Sequence, residues 1–192
     1  MLSQHRVLDL TDERGQLAGL LLAGVGADVV AVEPPGGSSA RRLGPFAADI
    51  DDGERSLFHW AYNRGKRSVV LDLEADDGKV ALRRLVEGAD VLVESAGPGV
   101  MDRMGLGYES LAALNPALVH VSISGFGEDG PKATWRAPDL VVAAAAGPLL
   151  MTGDEDRPPL RISLPQAYHH AAADAAGAAL IALHERDNRS GL

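Results

Sequence analysis

The sequence contains no cysteine, few aromatic residues and no long apolar segment. Without cysteine among its 192 residues, disulfides and thiolate metal sites are excluded, and the composition is compatible with a reducing compartment. Only 4% of the residues are aromatic, so small side chains that let backbones approach closely must build the core. The first residues lack the basic and apolar regions of a signal peptide. The apolar run at 175–183 is far shorter than the roughly 20 residues that span a bilayer. We therefore expect a cytoplasmic protein without a membrane partner.

Positive charge is also scarce. Lysine and arginine number 18 against 27 aspartates and glutamates, which gives a formal net charge of -9. Nucleic-acid binding requires a dense positive surface, so we expect no nucleic-acid partner, although a local basic pocket could still hold a small anion. With 46% hydrophobic and 23% charged residues, the composition is typical of one globular domain over residues 1–192.

Short apolar runs alternate with helical patterns along the chain. Repeated strand, helix and strand units are typical of a parallel sheet. The sequence therefore predicts an α/β fold with a doubly wound, Rossmann-like parallel sheet. Strands are expected at 6–10, 28–33, 68–73, 90–94 and 117–124, and helices at 16–24, 77–88, 108–115 and 137–150, with a last helix after Ser163.

Two long segments rich in glycine and proline, 34–55 and 125–138, each follow a predicted strand and are typical of binding loops. The glycines of GVGAD (24–28) close a helix instead of opening one, which favours a helix C-cap over a dinucleotide motif. The basic turn NRGKRS (63–68) is typical either of an anion site or of a solvated basic turn, and both interpretations stay open.

The last predicted helix begins with Tyr168, His169 and His170. Adjacent histidines on a helix point about 100° apart, so they cannot share a metal as an i, i+4 pair does, and we expect no metal site. Either histidine is a candidate general base or simply a polar residue of the first turn. Ser163 followed by Gln166 predicts a capping box for this helix.

Several motifs occur in a fixed order. They are VLDLT (7–11), GADVVAVEPPGG (26–37), NRGKRSVVLDL (63–73), ADVLVESAGPGVMDRMGLGYESL (89–111) and NPALVHVSISGFGEDGP (115–131), followed by Asp139 before an Ala/Gly-rich helix. In this order they resemble the family III CoA-transferases of the CaiB/BaiF type. That family includes formyl-CoA and carnitine CoA-transferases, and the alpha-methylacyl-CoA racemases are close relatives. The resemblance covers nearly the whole chain.

The resemblance implies a CoA-binding Rossmann-like domain over residues 1–192, as the N-terminal part of a longer chain with a second domain. It also implies acyl-CoA and a carboxylic acid as substrates, no covalently bound cofactor, and assembly as an interlocked homodimer or with a second transferase half. The family commonly has Asn-Phe where this chain has Ser95-Ala96, which removes an aromatic cover. The implied CoA pocket consists of Arg14, Gly15, Arg41, Arg42, Leu71, Leu73, Ser95, Ala96, Arg103 and Met104.

The transferases use an aspartate at the start of the last helix, which attacks the acyl-CoA thioester and forms a mixed anhydride. Counted back from Ala182 and Leu183, this position falls on Tyr168. A phenol, with a pKa near 10, is protonated at neutral pH and cannot form the anhydride. Asp174 lies about 9 Å further along the helix, too far to substitute, whereas His169 stays a possible replacement base.

Several functions therefore remain open. The first is a CoA-transferase in which another residue acts, and the second is a catalytically silent acyl-CoA-binding half that works with an active half. A racemase-like protein is a further alternative, although the histidine of the racemases falls on Pro138, which cannot transfer a proton. An α/β module unrelated to CoA is the last alternative.

Overall fold

Five short segments rich in valine and leucine form one parallel sheet. The structure, a computed structural model, describes residues 1–189. The strands lie in the order β3-β2-β1-β4-β5, and every pairing is parallel. Since the chain runs outward in both directions from β1, a topological switch point lies where the carboxyl ends of β1 and β4 meet, the usual ligand site of such sheets. The strands are β1 (Arg6–Leu10), β2 (Asp28–Glu33), β3 (Arg67–Val70), β4 (Val91–Glu94) and β5 (Val119–Ser122).

Helices cover both faces of the sheet. They are α1 (Gln16–Gly24), α2 (Leu57–Asn63), α3 (Asp76–Val86), α4 (Val100–Arg103), α5 (Tyr108–Ala112), α6 (Asp139–Ala145) and α7 (Gln166–Arg189). On one face Val7 and Val93 pack with buried residues of α1 and α7. On the other, Leu8 and Leu92 pack with buried residues of α3, α4 and α5. Because alternate side chains of each strand enter two apolar layers, the predicted doubly wound α/β fold is confirmed.

The glycine motif after α1 ends that helix. The N–H of Gly26 donates to the carbonyl of Ala23 (2.9 Å), and the N–H of Ala27 donates to that of Leu22 (3.0 Å). Gly26 has a φ of 102°, which a side chain would strain. This pair of bonds is a Schellman motif, so the predicted helix C-cap is confirmed.

Some predicted elements differ from the structure. Strand β3 ends at Val70 instead of residue 73, so Leu71 and Leu73 leave the sheet. Helix α2 was not predicted, because seven residues are too few to show a helical period. The predicted loop at 34–55 contains 3-10 turns at Ser39–Arg42, Ala47–Asp49 and Gly53–Arg55. Within residues 1–189, no helix is both long enough and apolar enough to cross a bilayer.

Candidate functional site

The loop after β1 and the residue after β4 meet at the switch point. The Arg14 guanidinium donates to both carboxylate oxygens of Asp12 (2.6–2.9 Å) and to the carbonyl of Ser95 (2.6 Å). The Ser95 hydroxyl donates to Asp12 Oδ1 (2.9 Å), and the N–H of Asp12 donates to Ser95 Oγ (2.9 Å). The hydrogen bond to Asp12 raises the pKa of Arg14 above its ordinary value, so the guanidinium stays charged. Two residues of the predicted CoA pocket, Arg14 and Ser95, are thus held together through Asp12.

Gly15 lies directly before α1, where its N–H donates to the carbonyl of Asp12 (3.0 Å). A Cβ at this position would lie 2.6 Å from Cγ2 of Thr11. Contacts this close do not occur, so the turn between β1 and α1 needs a glycine here. The short turn holds Arg14 at the carboxyl edge of the sheet.

Arg41 is bound by acidic residues of its own chain. Its Nε and Nη2 donate to the buried Glu33 (2.6 and 2.9 Å), and its Nη1 donates to Glu54 (2.8 Å). The bond from Arg41 lowers the pKa of Glu33 to about 2, against its partial burial. The charge of Arg41 is therefore balanced within the loop, and its neighbour Arg42 is the arginine that is exposed.

Three predicted CoA-pocket residues line one apolar cavity. Leu71 and Leu73, which follow β3, and Met104, which follows α4, surround a volume of about 230 Å³ together with Leu10 and Val32. A mainly apolar cavity of this size can hold a ring such as adenine. Ala96 and Arg103 are both exposed on the segments that follow β4.

The basic turn after α2 matches the solvated interpretation in part, because Arg64 and Arg67 are exposed while the side chain of Lys66 is buried. The ammonium group of Lys66, 1% exposed, donates to Asp9 (2.7 Å), to the Gln16 carbonyl (2.8 Å) and to Asn63 (3.0 Å). Arg67 binds Asp28 at 2.6 Å. Because a buried charge that loses its partner is costly, Lys66 holds β1, α1 and α2 together.

Tyr168, the residue that the sequence predicts at the position of the transferases' aspartate, is a buried phenol. Its side chain is 4% exposed, and its hydroxyl donates to the Ala137 carbonyl at 2.5 Å. The ring lies 5.9 Å from the guanidinium carbon of Arg14, within cation–π range. Burial raises the pKa of Tyr168. The side chain therefore fills this position with a group that stays protonated.

The predicted Ser163 and Gln166 capping box is wrong. Helix α7 begins at Gln166, so Gln166 is its first residue instead of its third. The N–H of Tyr168 donates instead to Oδ1 of Asp139, the first residue of α6, at 3.1 Å. A carboxylate from a distant segment thus caps the first turn of α7.

A cavity of about 320 Å³ adjoins Tyr168. Its charged wall residues are Glu13, Arg14, Asp139 and Arg161, and the others are Leu43, Phe58, Ala137, Pro138, Pro165 and Tyr168. Two arginines and two carboxylates therefore line one space beside Tyr168. Sequence reasoning noted Asp139 only as part of a motif and did not identify Arg161.

The two histidines and Asp174 lie away from this cavity. The ring of His169 lies 5.2 Å from that of Tyr62 in α2, and its buried Nε2 has no hydrogen-bond partner within residues 1–189. Burial lowers the pKa of His169, so the ring is neutral. His170 and Asp174 line a neighbouring, largely apolar cavity between α6 and α7, whose wall also includes Asp139 and Arg161. In residues 1–189, no three His, Asp or Glu side chains are grouped to hold a metal.

Comparison with known proteins identifies the fold and the family. Residues 2–191 match the family model of CoA-transferase family III. The succinyl-CoA:(R)-benzylsuccinate CoA-transferase subunit BbsE of Thauera aromatica is 42% identical over 94% of this chain and 44% of its own length. The acetyl-CoA:oxalate CoA-transferase of Acetobacter aceti is also 42% identical, over 81% of this chain and 39% of its own.

A solved structure shows the same fold and points to the same family. The crystal structure of a CAIB/BAIF family protein from Brucella suis is 35% identical and superposes with a TM-score of 0.89, over 97% of this chain and 50% of that one. The chain spans less than half the length of the curated relatives named above. With its parallel sheet, its switch-point cluster and a family match over residues 2–191, the chain belongs to CoA-transferase family III.

Proposed function

We propose that residues 1–192 are the CoA-binding domain of an enzyme that moves CoA between two carboxylic acids, with acyl-CoA and a free acid as substrates. The observation that carries this proposal is the pairing of the Arg14, Asp12 and Ser95 cluster with the apolar cavity at Leu71, Leu73 and Met104, both at the carboxyl edge of the sheet. The names of the relatives support the reaction class, since they are CoA-transferases for benzylsuccinate and oxalate.

In this proposal the cavity beside Leu71, Leu73 and Met104 takes the adenine ring. The exposed Arg42 and Arg103 supply positive charge for the phosphates of CoA, a role in which Arg41 is limited by its bonds to Glu33 and Glu54. The pantetheine arm then runs along the switch point towards Tyr168.

Tyr168 supports the further proposal that α7 does not supply the usual nucleophile. Its hydroxyl is already used as a donor to Ala137, and a neutral phenol does not form an anhydride. A racemase-like reaction is not favoured either, since Pro138 has no ionisable group in the cavity wall.

A second candidate is an acyl-CoA-binding half that works with an active half. The observation in its favour is that the relative from Thauera aromatica, 42% identical, is named as a subunit. Three large apolar residues after α6 are also exposed: Leu150 (82%), Met151 (81%) and Leu160 (66%). Their exposure supports coverage of this segment by further protein, either a second copy or a different half. We also propose a cytoplasmic location, which the cysteine-free sequence supports.

Calorimetric titration with CoA tests the binding proposal. We expect the Leu73→Ser variant to lose about tenfold or more in affinity, because withdrawing a leucine contact from an apolar ligand costs roughly 1.5 kcal/mol. Leu114→Ser makes the same change at a 42% exposed leucine between α5 and β5, near the opposite edge of the sheet, and should bind as the unmodified protein does. The titration uses the complete gene product, and if that folded protein does not bind CoA, the proposal is wrong.

A further inference from the structure

CoA transfer through an anhydride needs an ionised carboxylate beside the thioester. With Tyr168 at the usual position, that group must come from elsewhere in the cavity or from another polypeptide. Among the described residues, the carboxylates that line the cavity at Tyr168 are those of Glu13 and Asp139. These two acids are therefore the ones to compare.

The two acids differ in position and in partners. Glu13 accepts a hydrogen bond from the Ser39 hydroxyl on the loop after β2. Asp139 lies 3.1 Å, through its Oδ1, from the main-chain nitrogen of Tyr168. Its carboxylate is thus next to the backbone that carries the family's aspartate, while its Oδ2 makes no hydrogen bond within residues 1–189.

From this geometry we infer that Asp139 is the carboxylate nucleophile of this protein, in place of the aspartate that the family carries at position 168. The inference rests on the proposed function and adds the reacting residue to it. Arg14 and Arg161 line the same cavity, so positive charge is available where oxyanions form during the reaction.

The reaction balances with no further reagent. An oxygen of Asp139 attacks the thioester carbonyl, the carbon–sulfur bond breaks, and the CoA thiolate leaves with the electron pair. The thiolate then attacks the Asp139 carbonyl of the anhydride and releases the donor acid as its carboxylate. The acceptor carboxylate attacks the resulting Asp139 thioester, and the thiolate released in this step attacks the new acyl carbonyl. New acyl-CoA forms and Asp139 is regenerated.

A purely structural role for Asp139 predicts a different result from the same variant. Capping of α7 requires only an oxygen that accepts the N–H of Tyr168, and an asparagine amide supplies one. An amide cannot form the anhydride. Asp139→Asn therefore separates capping from nucleophilic attack, and its folding is checked by its thermal unfolding midpoint.

The experiment uses the complete gene product and succinyl-CoA as the probe. Binding is measured first by calorimetry, and the protein is then incubated with the probe and treated with borohydride, which reduces an aspartyl thioester to homoserine. Peptide mass spectrometry locates the reduced residue. We expect it at position 139 in the unmodified protein and in the control Asp174→Asn, whose side chain lines the other cavity.

In Asp139→Asn we expect unchanged binding, no reduced residue, and CoA exchange that is slower by at least about 10³-fold, as when a nucleophile is removed. Adding Tyr168→Asp to that variant should restore a reduced residue at position 168. Binding without any reduced residue, or with one elsewhere in the unmodified protein, overturns the inference and leaves CoA binding intact. If succinyl-CoA does not bind, both the proposed function and the inference fail.

Discussion

Two small side chains, those of Ser95 and Ala96, directly follow β4. Ser95 is buried and used in the cluster with Asp12, whereas Ala96 is exposed and its N–H donates to Glu94 at 2.6 Å. Glu94 pairs with Leu10, which lines the cavity. An aromatic ring at position 96 could therefore reach a bound adenine without changing the backbone.

Ala96→Phe is expected to tighten CoA binding by about tenfold, because stacking of a base on an aromatic ring contributes about 1–3 kcal/mol. Calorimetry with CoA measures the change. Affinity for 4′-phosphopantetheine should stay the same, since that ligand has no adenine. Ala113→Phe, at an exposed alanine directly after α5, is the matched control. Equal gains for both ligands would show that the ring acts outside an adenine site.

The limits of sequence reasoning are clearest for charged residues. Residue type predicts that Arg41 and Lys66 bind anionic groups, and both do, but their partners are Glu33 and Asp9 of the same chain. Lys66 and Asp9 are 57 positions apart in sequence, and folding alone brings them together. The sequence predicts which residues gather near the switch point better than it predicts which charges stay free for a ligand.

At the scale of elements, α7 packs on α1 through alanine. Ala172, Ala175, Ala176 and Ala179 are buried and occupy positions i, i+3, i+4 and i+7, so they form one face of the helix. Apolar residues that recur at helix or strand spacing explain why most helices and strands could be predicted from the sequence. The capping of α7 by Asp139 was not, because this contact joins residues 29 positions apart.

Ala179→Leu should lower the free energy of unfolding by about 1–3 kcal/mol, because added methylenes have no space in a packed interface. Ala179 is 0% exposed. Ala178→Leu makes the same change one residue earlier, at an exposed position, and should change stability by less than about 0.5 kcal/mol. Urea unfolding measures both. Similar losses for the two variants would contradict the close packing of α7 on the sheet.

At the scale of the whole molecule, buried titratable groups make stability depend on pH. Burial lowers the pKa values of His59, His120 and His169, so these rings are neutral in the folded protein and bind protons more readily once it unfolds. Their contribution is complete above the unfolded pKa near 6.5 and is lost as the pH falls below it. Glu33, with its pKa lowered to about 2 by Arg41, adds stability above pH 4.5 that is lost between pH 4.5 and 2.

His120 allows a direct test of the loss of stability that the buried histidines cause below about pH 6.5. Both of its ring nitrogens are buried without a hydrogen-bond partner in residues 1–189, and the charged groups facing it, Asp102 and Glu128, only partly offset the effect of burial on its pKa. The free energy of unfolding in urea should fall between pH 7.5 and 5.5, and less steeply in His120→Asn. Tyr108→Phe, which removes only the hydroxyl of the ring beside His120, should keep the original slope. If His120→Asn shows the same dependence of the free energy of unfolding on pH as the unmodified protein, the prediction is wrong, because His120 then takes up no proton on unfolding.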